Sequence, residues 1–590
     1  MTLEEKALLL SGDGWWATHR IERLGVPSIS LTDGPHGVRK GQGAGLSESV
    51  PATCFPTASA LACSWDTDLV RQIGVALGEE SQAIDVQILL GPGVNMKRSP
   101  LGGRNFEYFS EDPLLAGKLA VAYIQGVQSQ GVGTSLKHYA VNNQEFERMA
   151  TSSNLDERTL NEIYLPAFEI AVKEARPWTV MSAYNLVNGV YASEHRELLQ
   201  EILRQRWGFA GFVMSDWGGV NDRVAGLSAG TDLEMPGSGD YNAQKITKAV
   251  QNSSLSADKL DESVAKVLAV ILKAHASRKE SARFDIEQHH ALARRAGGES
   301  IVLLKNADAL LPLDLARLGK IAIIGAFART PRYQGAGSSQ VNPTKVSNAY
   351  DELVEIAGGD SKFAYASGYT VEGNVTDELL EEARKAAATA DVAIVFAGLP
   401  DSYESEGFDR SSLDMPAGHN KLIESVSNAQ PNTVVVLMNG SAVTMPWANR
   451  VKAVMEVFLG GQAGGGAVAD VLTGRINPSG KLAETFPLRV EDTPAYPNFP
   501  GRNGQAFYGE GVFIGYRYYD KRDIEPLFPF GYGLSYTTFA YTGIKLSASS
   551  IADSDGLTVE VSVRNTGEVP GKEVVQLYVH EQKPAVARPQ

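Results

Sequence analysis

Short apolar segments that end in polar residues recur through the first 280 residues of the chain. They read SISLTDGPHG, VQILLGPGVN, GTSLKHYAVNN, WTVMSAYN, GFVMSDWGG and AGTDLEMPG, starting at residues 28, 86, 133, 178, 211 and 229. Between the fourth and the fifth lies a segment whose Leu198, Leu199, Ile202 and Leu203 fall on one helical face. This alternation predicts strand–helix–strand units and therefore a parallel sheet.

The repetition of these units predicts a (β/α)8 TIM-like barrel over residues 1–280. In such a barrel the active site gathers the polar groups that end the strands. A doubly wound sheet would instead concentrate them at one switch point. The chain has polar residues at every strand end, which favours the barrel; they are Asp33, Asn95, Lys137, His138, Tyr184, Asp216 and Glu234.

A second α/β region is predicted from about residue 287 to residue 500. The charged stretch ASRKESARFDIEQHH (276–290) interrupts the first pattern and is interpreted as an interdomain linker that leads into a helix. Beyond it, the apolar segments KIAIIGAF, DVAIVFAGLP, NTVVVLMNG and VKAVMEVFLGG alternate with helical segments such as TDELLEEARKAAATA. This pattern predicts a second, mostly parallel α/β sandwich domain.

The last region, residues 505–590, passes from aromatic loop sequence to segments of period two, LTVEVSVRNTG and EVVQLYV. Such alternation is typical of sandwich strands. A fibronectin-III-like β-sandwich needs about seven strands in about 100 residues. Because less chain than that remains, we expect this β domain to be truncated.

The net charge restricts the partners of the protein. The chain carries 54 Lys and Arg against 69 Asp and Glu, a formal charge of −15, and it has no basic run interleaved with aromatic residues. Nucleic acid and anionic membrane surfaces would be repelled, so we expect neither as a partner. The first residues are acidic where a secretory leader is basic, which predicts a cytoplasmic protein.

Metal and cofactor chemistry has no support in the sequence pattern. Cys54 and Cys63 lie nine residues apart, a spacing that matches no zinc or redox motif. The adjacent His289 and His290 face different sides of a predicted helix. The glycine-rich stretch KIAIIGAFARTPRYQGAGSS lacks G-x-G-x-x-G in register. We therefore expect no metal and no cofactor.

Carboxylates are the strongest candidates for chemistry. Asp216 ends an apolar segment, and the second region contributes the acidic loop AGLPDSYESEGFDRSSLDMP (397–416) directly after a predicted strand. A solvated surface loop would also be acidic. Glycoside hydrolysis needs two carboxylates beside the scissile bond, one ionised and one protonated. Asp216 and a glutamate of this loop could supply that pair across an interdomain cleft, where ligand pockets are common.

Seven motifs in order make the chain similar to β-glucosidases of glycoside hydrolase family 3. They are TDGPHGVR, GRNFEYFSEDP, SLKHYAVNNQE, MSAYN, VMSDWGG, SEGFDR and FGYGLSYTTF, and the likeness spans residues 1 to 585. The resemblance implies a retaining hydrolase that removes terminal non-reducing β-D-glucosyl residues by double displacement. Its substrate would be a β-glucoside or an oligosaccharide.

The resemblance also implies roles for individual residues. It makes Asp216 the nucleophile and Glu406 the acid/base, with Glu404 as a competitor for the second role. Trp217 would stack on the sugar, and Asp409 and Arg410 would brace the acid/base loop. The remaining residues expected to bind or support the substrate are Asp33, Arg104, Lys137, His138, Tyr184, Arg148 and Arg98.

The resemblance carries electrostatic expectations as well. The charges of Arg104, Lys137 and His138 would help to keep Asp216 ionised. Tyr184 would donate a hydrogen bond to Asp216. General acid function at neutral pH implies that burial and the charge of Asp216 raise the pKa of Glu406.

Several functions within and outside the family stay open from the sequence. The stretch KHYAVNNQE stands where the N-acetylglucosaminidase branch has a KHFPGHG-type motif, which argues against that branch. A β-xylosidase or arabinofuranosidase, a transglycosylase and an inactive sugar-binding homologue are the alternatives. The sequence leaves open the aglycone, the linkage preference and whether the chain forms a homo-oligomer.

Overall fold

The computed structural model describes residues 1–41, 49–552 and 554–589. We call residues 1–280 the first domain and residues 287–500 the second domain. The main sheet of the first domain contains β1 (Leu31–Asp33), β2 (Ile88–Leu90), β3 (Gly133–Tyr139), β4 (Thr179–Ser182) and β5 (Phe212–Ser215), paired in parallel in that order. Two smaller sheets are formed by the short strands Gly12–Asp13 and Ala17–Thr18, and by Gln505–Phe507, Ser152–Asn154, Leu186–Val187 and Val190–Tyr191. Each strand of the main sheet is buried along its whole length, as in parallel sheets that are covered on both faces.

Helices of the first domain follow the strands and cover the sheet. In the helix Pro113–Ser129 the Asp112 carboxylate accepts a hydrogen bond from the backbone N–H of Leu115, and proline occupies the first position. The predicted leucine and isoleucine face of Glu197–Arg206, a π-helix, is buried. The α-helices are Leu3–Leu9, Ala58–Ala62, Thr67–Ala83, Pro113–Ser129, Glu157–Thr159, Pro166–Ala175, Arg223–Ala229, Asp240–Gln251 and Ala257–Ala276.

The sequence predicts an eight-stranded barrel. Within the described residues, the first domain instead has this five-stranded main sheet, extended by single bridges. Leu233 bridges Met214 of β5, Glu234 bridges Ser11, and Ala17 bridges Ser30 beside β1. The segment AGTDLEMPG therefore forms bridges where a full strand was expected. Pro236 lacks a backbone N–H, so the ladder cannot extend past it.

The second domain contains a six-stranded sheet. Its strands are β6 (Val302–Asn306), β7 (Ile321–Ile324), β8 (Phe363–Ala366), β9 (Val392–Gly398), β10 (Thr433–Met438) and β11 (Ala453–Glu456), in the order β6-β11-β10-β9-β7-β8. The sheet is parallel except for β6, which is antiparallel to β11. Its helices are Ile286–Ser300, Ala349–Ala357, Asp377–Ala388, Ala417–Ala429 and Gly464–Leu472. The four predicted strands correspond to β7, β9, β10 and β11.

The C-terminal region does not form a β-sandwich in the described residues. After the helix Tyr516–Arg522, β12 (Phe539–Leu546) and β13 (Val559–Asn565) pair as an antiparallel hairpin. The segment EVVQLYV, predicted as a strand, has no strand partner in the described part of the chain. Its Val575, Leu577 and Val579 are exposed. An isolated strand leaves its backbone groups and apolar side chains in water, which explains the absence of a regular strand here.

Apolar side chains join the two domains. One buried cluster contains Phe55 of the first domain together with Ala293 and Val436 of the second. A further cluster fills the space between the first sheet and the helix Ala257–Ala276. Across the described residues, every helix is too short or too polar to span a membrane. The continuous core fixes the second domain against the strand ends of the first.

Candidate active site

A cavity of about 560 Å³ lies where the strand ends of the first sheet meet loops of the second domain. We call it the catalytic cavity. Of the catalytic and substrate-binding residues that the resemblance implies, all except Arg98 and the competitor Glu404 line it, whereas the strand-end residues Asn95 and Glu234 do not. Its lining residues are Trp15, Trp16, Asp33, Arg39, Arg104, Lys137, His138, Arg148, Met181, Tyr184, Asp216, Trp217, Gly337, Ser338, Gln340, Glu406 and Gly407.

Asp216 follows β5 directly and points into the catalytic cavity. Its Oδ1 accepts a hydrogen bond of 2.7 Å from the backbone N–H of Trp217. Its Oδ2 has no hydrogen-bond partner among the described residues and lies 3.7 Å from Nε2 of His138. Burial raises the pKa of Asp216, while the charges of Arg104 and Lys137 oppose that shift. One carboxylate oxygen is thus left free to attack a ligand.

Glu107 organises the cations beside the nucleophile, and the sequence analysis did not identify it. Its carboxylate is fully buried, 2.7 Å from NH2 of Arg104 and 3.0 Å from Nζ of Lys137. Burial alone would raise the pKa of Glu107, but these two cations lower it below its ordinary value. Glu107 lies inside GRNFEYFSEDP, so the motif was noticed, but nothing in the pattern showed that the glutamate pairs with two cations 3 and 30 residues away.

His138 is neutral, contrary to the expectation that its charge supports Asp216. Burial, followed by the charges of Arg104 and Lys137, lowers the pKa of His138 well below its ordinary value. Its Nδ1 lies 3.2 Å from the hydroxyl of Tyr108, and its backbone N–H donates to Asn95. Two cations and one neutral imidazole therefore face the nucleophile.

Glu406 lies in the loop after β9, on the second-domain side of the catalytic cavity. Its Oε1 is 3.0 Å from NH1 of Arg148 and 3.6 Å from NH1 of Arg104. Its Oε2 accepts a hydrogen bond of 2.6 Å from the backbone N–H of Ser338. Burial raises the pKa of Glu406, but the two arginines and Ser338 outweigh it and lower the pKa below its ordinary value. The expected upward shift of the Glu406 pKa is therefore wrong.

Asp33 ends β1, which lies at the other edge of the five-stranded sheet from β5. Its carboxylate is buried and lies 3.8 Å from NH1 of Arg39. Burial raises the pKa of Asp33 to about 7, although Lys137 lowers it. Two carboxylate oxygens at this position can accept hydrogen bonds from adjacent sugar hydroxyls.

Aromatic rings form the outer wall of the catalytic cavity. The rings of Trp16 and Trp217 lie 5.2 Å apart, and Nε1 of Trp217 donates to the carbonyl of Trp15. Trp15 and Trp16 come from the N-terminal segment and were not among the predicted site residues. The hydroxyl of Tyr184 donates to the carbonyl of Trp217 at 3.1 Å. Burial and the neighbouring Asp216 carboxylate raise the pKa of Tyr184, so the two side chains lie close together, and the hydrogen bond expected between them stays a prediction.

Arg98 and Glu404 lie outside the catalytic cavity. The Arg98 side chain is buried, pairs with Glu510 at 2.5 Å and stacks 3.7 Å over the ring of Tyr508. Arg98 therefore contacts the C-terminal region. It cannot support the rim of the cleft, the role that the sequence analysis expected for it. Glu404 is buried against the second domain, where it accepts from the backbone N–H of Gly440.

The loop that carries Glu406 is fastened to the first domain by a set of contacts that we call the clasp. The Asp409 carboxylate accepts from the backbone N–H groups of Gly103, Glu145 and Phe146 at 2.8–3.0 Å. Glu145 in turn accepts from the N–H of Gly407 and from Arg148. The clasp fixes an acid of one domain over the nucleophile of the other.

Comparison with known proteins gives the same family for both domains. A sequence model of the Glycosyl hydrolase family 3 N terminal domain matches residues 17–270, and one of the Glycosyl hydrolase family 3 C-terminal domain matches residues 301–536. The chain is 56% identical over 595 residues to the thermostable beta-glucosidase B of Acetivibrio thermocellus, covering 100% of this chain and 78% of that protein.

Two further comparisons bear on the substrate. An exo-alpha-(1->6)-L-arabinopyranosidase of Bifidobacterium longum is 48% identical over 604 residues, covering 100% of this chain and 79% of that protein. The crystal structure of a family 3 β-glucosidase of Bifidobacterium adolescentis superposes with a TM-score of 0.95 at 48% identity, covering 100% of this chain and 85% of that chain.

Proposed function

Because the chain belongs to glycosyl hydrolase family 3, we propose that it is a retaining β-glucosidase that releases terminal β-D-glucosyl residues. The observation that carries the proposal is that Asp216 and Glu406, from separate domains, line one cavity together with Asp33. A pair of carboxylates beside one bond is what double displacement requires. The acidic net charge of −15 agrees with a neutral glycoside as substrate. A cytoplasmic location stays a prediction.

In the proposed reaction, Asp216 attacks the anomeric carbon while Glu406 protonates the glycosidic oxygen and the aglycone leaves. Glu406 then takes a proton from water, and the water oxygen displaces Asp216 from the sugar with overall retention. Arg104 and Lys137 favour the charged form of Asp216. Asp33 accepts hydroxyl protons of the glucosyl unit, and Trp217 packs against its apolar face.

The pKa shifts add a constraint to this reaction. The pKa of Asp216 is raised and that of Glu406 is lowered, so a single proton between the two carboxylates resides preferentially on Asp216. The reactive form carries that proton on Glu406 and is a minor species of the free enzyme. Because the reaction needs Asp216 ionised and Glu406 protonated, kcat/KM falls at both low and high pH.

A second candidate is hydrolysis of α-L-arabinopyranosides, which the arabinopyranosidase of Bifidobacterium longum favours. An α-L-arabinopyranoside lacks the hydroxymethyl group of a glucoside and presents its 4-hydroxyl on the other face of the ring. The same Asp216 and Glu406 would act on either sugar. The wall around Asp33 would decide between them.

One assay tests both candidates. Release of nitrophenol from p-nitrophenyl β-D-glucoside and from p-nitrophenyl α-L-arabinopyranoside is measured with the wild-type chain, with Asp216→Asn as the blank. We expect faster release from the glucoside and none above background in the variant. Faster release from the arabinoside would replace the proposal with the second candidate.

A further inference from the structure

One guanidinium nitrogen, NH1 of Arg148, is shared by two carboxylates. It lies 2.6 Å from Oε2 of Glu145 and 3.0 Å from Oε1 of Glu406. Arg148 and Glu406 line the catalytic cavity, whereas Glu145 does not line it and its side chain is only 2% exposed. The reaction proposed above gives Glu406 the proton that the leaving group takes up, and it gives Glu145 no step.

Glu145 also contacts the loop that carries the acid. Its Oε2, the same oxygen that faces Arg148, accepts a hydrogen bond of 2.9 Å from the backbone N–H of Gly407, the residue after Glu406. The backbone N–H of Glu145 donates to the carboxylate of Asp409 at 2.9 Å. A residue held by both its backbone and its side chain has a fixed position beside Glu406. The sharing of Arg148 is therefore part of the clasp.

The titratable groups around the two carboxylates come from both domains. Those that face Glu145 are Arg104, Tyr108, Arg148, Glu406 and Asp409. Those that face Glu406 are Asp33, Arg104, Glu107, Glu145, Arg148 and Tyr184. Burial raises the pKa of Glu145 to about 7, although Arg104 and Arg148 lower it. Glu145 is therefore mostly ionised above pH 7 and mostly protonated below it.

The charge of Glu145 offsets the charge of Arg148 at the acid. Burial raises the pKa of Glu406, but Arg104 and Arg148 lower it below its ordinary value. Because the reaction needs Glu406 protonated, any further positive charge beside Glu406 works against the reaction. A second carboxylate on the same guanidinium nitrogen reduces that positive charge. Its own negative charge also favours the protonated form of Glu406.

We propose that Glu145 is a positioning residue that divides the charge of Arg148 between two carboxylates and so helps Glu406 to hold the proton that the leaving group needs. The inference rests on the proposed function. Glu145 acts through Arg148 and through the backbone of Gly407, since it does not line the catalytic cavity. The effect belongs to the pH range in which Glu145 is ionised.

The test replaces the carboxylate of Glu145 by an amide of the same shape. Glu145→Gln can still accept from the N–H of Gly407, but it carries no charge. The control is Glu147→Gln, the same change two residues later at an exposed position outside the catalytic cavity.

The readout is kcat/KM for methyl β-D-glucoside, whose departure needs the acid, divided by kcat/KM for 2,4-dinitrophenyl β-D-glucoside, which leaves without protonation. This ratio cancels changes in the binding of the glucosyl unit and in the ionisation of Asp216, which affect both substrates. It is measured from pH 5 to pH 9. Thermal unfolding confirms that each variant is folded.

We expect Glu145→Gln to lower the ratio about tenfold at pH 8 to 9, which corresponds to a fall of about one unit in the pKa of Glu406. The reason is that Arg148 is then balanced by Glu406 alone. At pH 5 the wild-type Glu145 is itself protonated, so the variant and the wild type should agree within about twofold. Glu147→Gln should follow the wild type throughout. An equal loss at every pH would mean that Glu145 only holds the loop, and it would overturn the proposal.

A second variant tests the route through Arg148 and does not depend on the folding of Glu145→Gln. Arg148→Gln removes the shared cation, so the ratio at pH 8 should rise, opposite to the effect of Glu145→Gln. Adding Glu145→Gln to Arg148→Gln should then change the ratio by less than about twofold. A fall of the ratio in Arg148→Gln, or a full tenfold loss on adding Glu145→Gln, would contradict this route.

Failure of the proposed function has a different signature. A folded wild-type chain that cleaves neither glucoside would overturn the β-glucosidase assignment, and the inference with it. A wild-type chain that cleaves both, with the same ratio in Glu145→Gln at every pH, overturns the inference alone.

Discussion

Glu406 and Asp216 face one cavity, but their pKa values are shifted in opposite directions. Each is buried, and burial alone would raise the pKa of both. The difference lies in the partners, because Arg148 and the N–H of Ser338 contact Glu406 directly, whereas one oxygen of Asp216 has no partner among the described residues. A substrate that separates Glu406 from Ser338 would raise the pKa of the acid when it is needed.

The raised pKa of Asp33 predicts that substrate binding depends on pH. Its pKa is raised to about 7 by burial, so the carboxylate becomes protonated as the pH falls through that value. A protonated Asp33 loses acceptor capacity for the glucosyl hydroxyls. We expect KM to rise from pH 8 to pH 5, whereas the KM of Asp33→Asn, although higher, stays constant over this range. A wild-type KM independent of pH would contradict the role of Asp33.

At the scale of elements, the clasp determines where the acid lies. Asp409→Asn replaces one acceptor oxygen by an NH₂ group that faces backbone N–H donors of Gly103, Glu145 and Phe146. Because a displacement of about 1 Å can cost about 100-fold in rate, we expect kcat to fall by about that factor for methyl β-glucoside, whose departure needs the acid. The loss should be much smaller for dinitrophenyl β-glucoside, which leaves without protonation.

A matched control separates this effect from general damage. Asp360→Asn makes the same chemical change at an exposed position and should leave both rates unchanged. Equal losses of Asp409→Asn on both substrates would mean that the clasp stabilises the fold and does not position Glu406.

Elements with strong periodicity could be predicted from the sequence, and short ones could not. β7, β9, β10 and β11 are continuous apolar runs of the kind that buried parallel strands require. β6 and β8 were missed because VLLKN merges with the preceding helix and FAYA is short and only partly buried. The sequence analysis predicted too many barrel strands, because Leu233 and Glu234 follow the strand pattern but Pro236 comes within three residues of them.

For the whole molecule, the pair Arg98 and Glu510 ties the first domain to the C-terminal region. Both side chains are buried, so Glu510→Gln leaves an uncompensated guanidinium and should lower the free energy of unfolding by about 3 to 5 kcal/mol. Denaturant unfolding measures the loss. Because Arg98 lies outside the catalytic cavity, kcat/KM of the folded variant should stay unchanged. A change in KM without a loss of stability would restore Arg98 to the substrate site.

The site as a whole was predictable only in part. Asp216 follows an apolar strand, and that pattern alone makes it a candidate; Glu406 required the family resemblance. Glu107, Ser338 and the pair Trp15 and Trp16 were missed, since their roles depend on contacts between segments far apart in the chain. The pKa of Glu406 was predicted in the wrong direction, because Arg148 and Ser338 are adjacent to it only in the folded molecule.

The central claim is that Asp216 forms the covalent intermediate. It is tested most directly by incubating the chain with 2,4-dinitrophenyl 2-deoxy-2-fluoro-β-D-glucoside, in which fluorine slows both steps and the leaving group restores the first. Peptide mass spectrometry then locates the sugar. We predict one fluoroglucosyl group per chain, attached to the peptide that contains Asp216 and absent from Asp216→Asn. A label on Asp33, Glu404 or Glu406 would contradict the assignment.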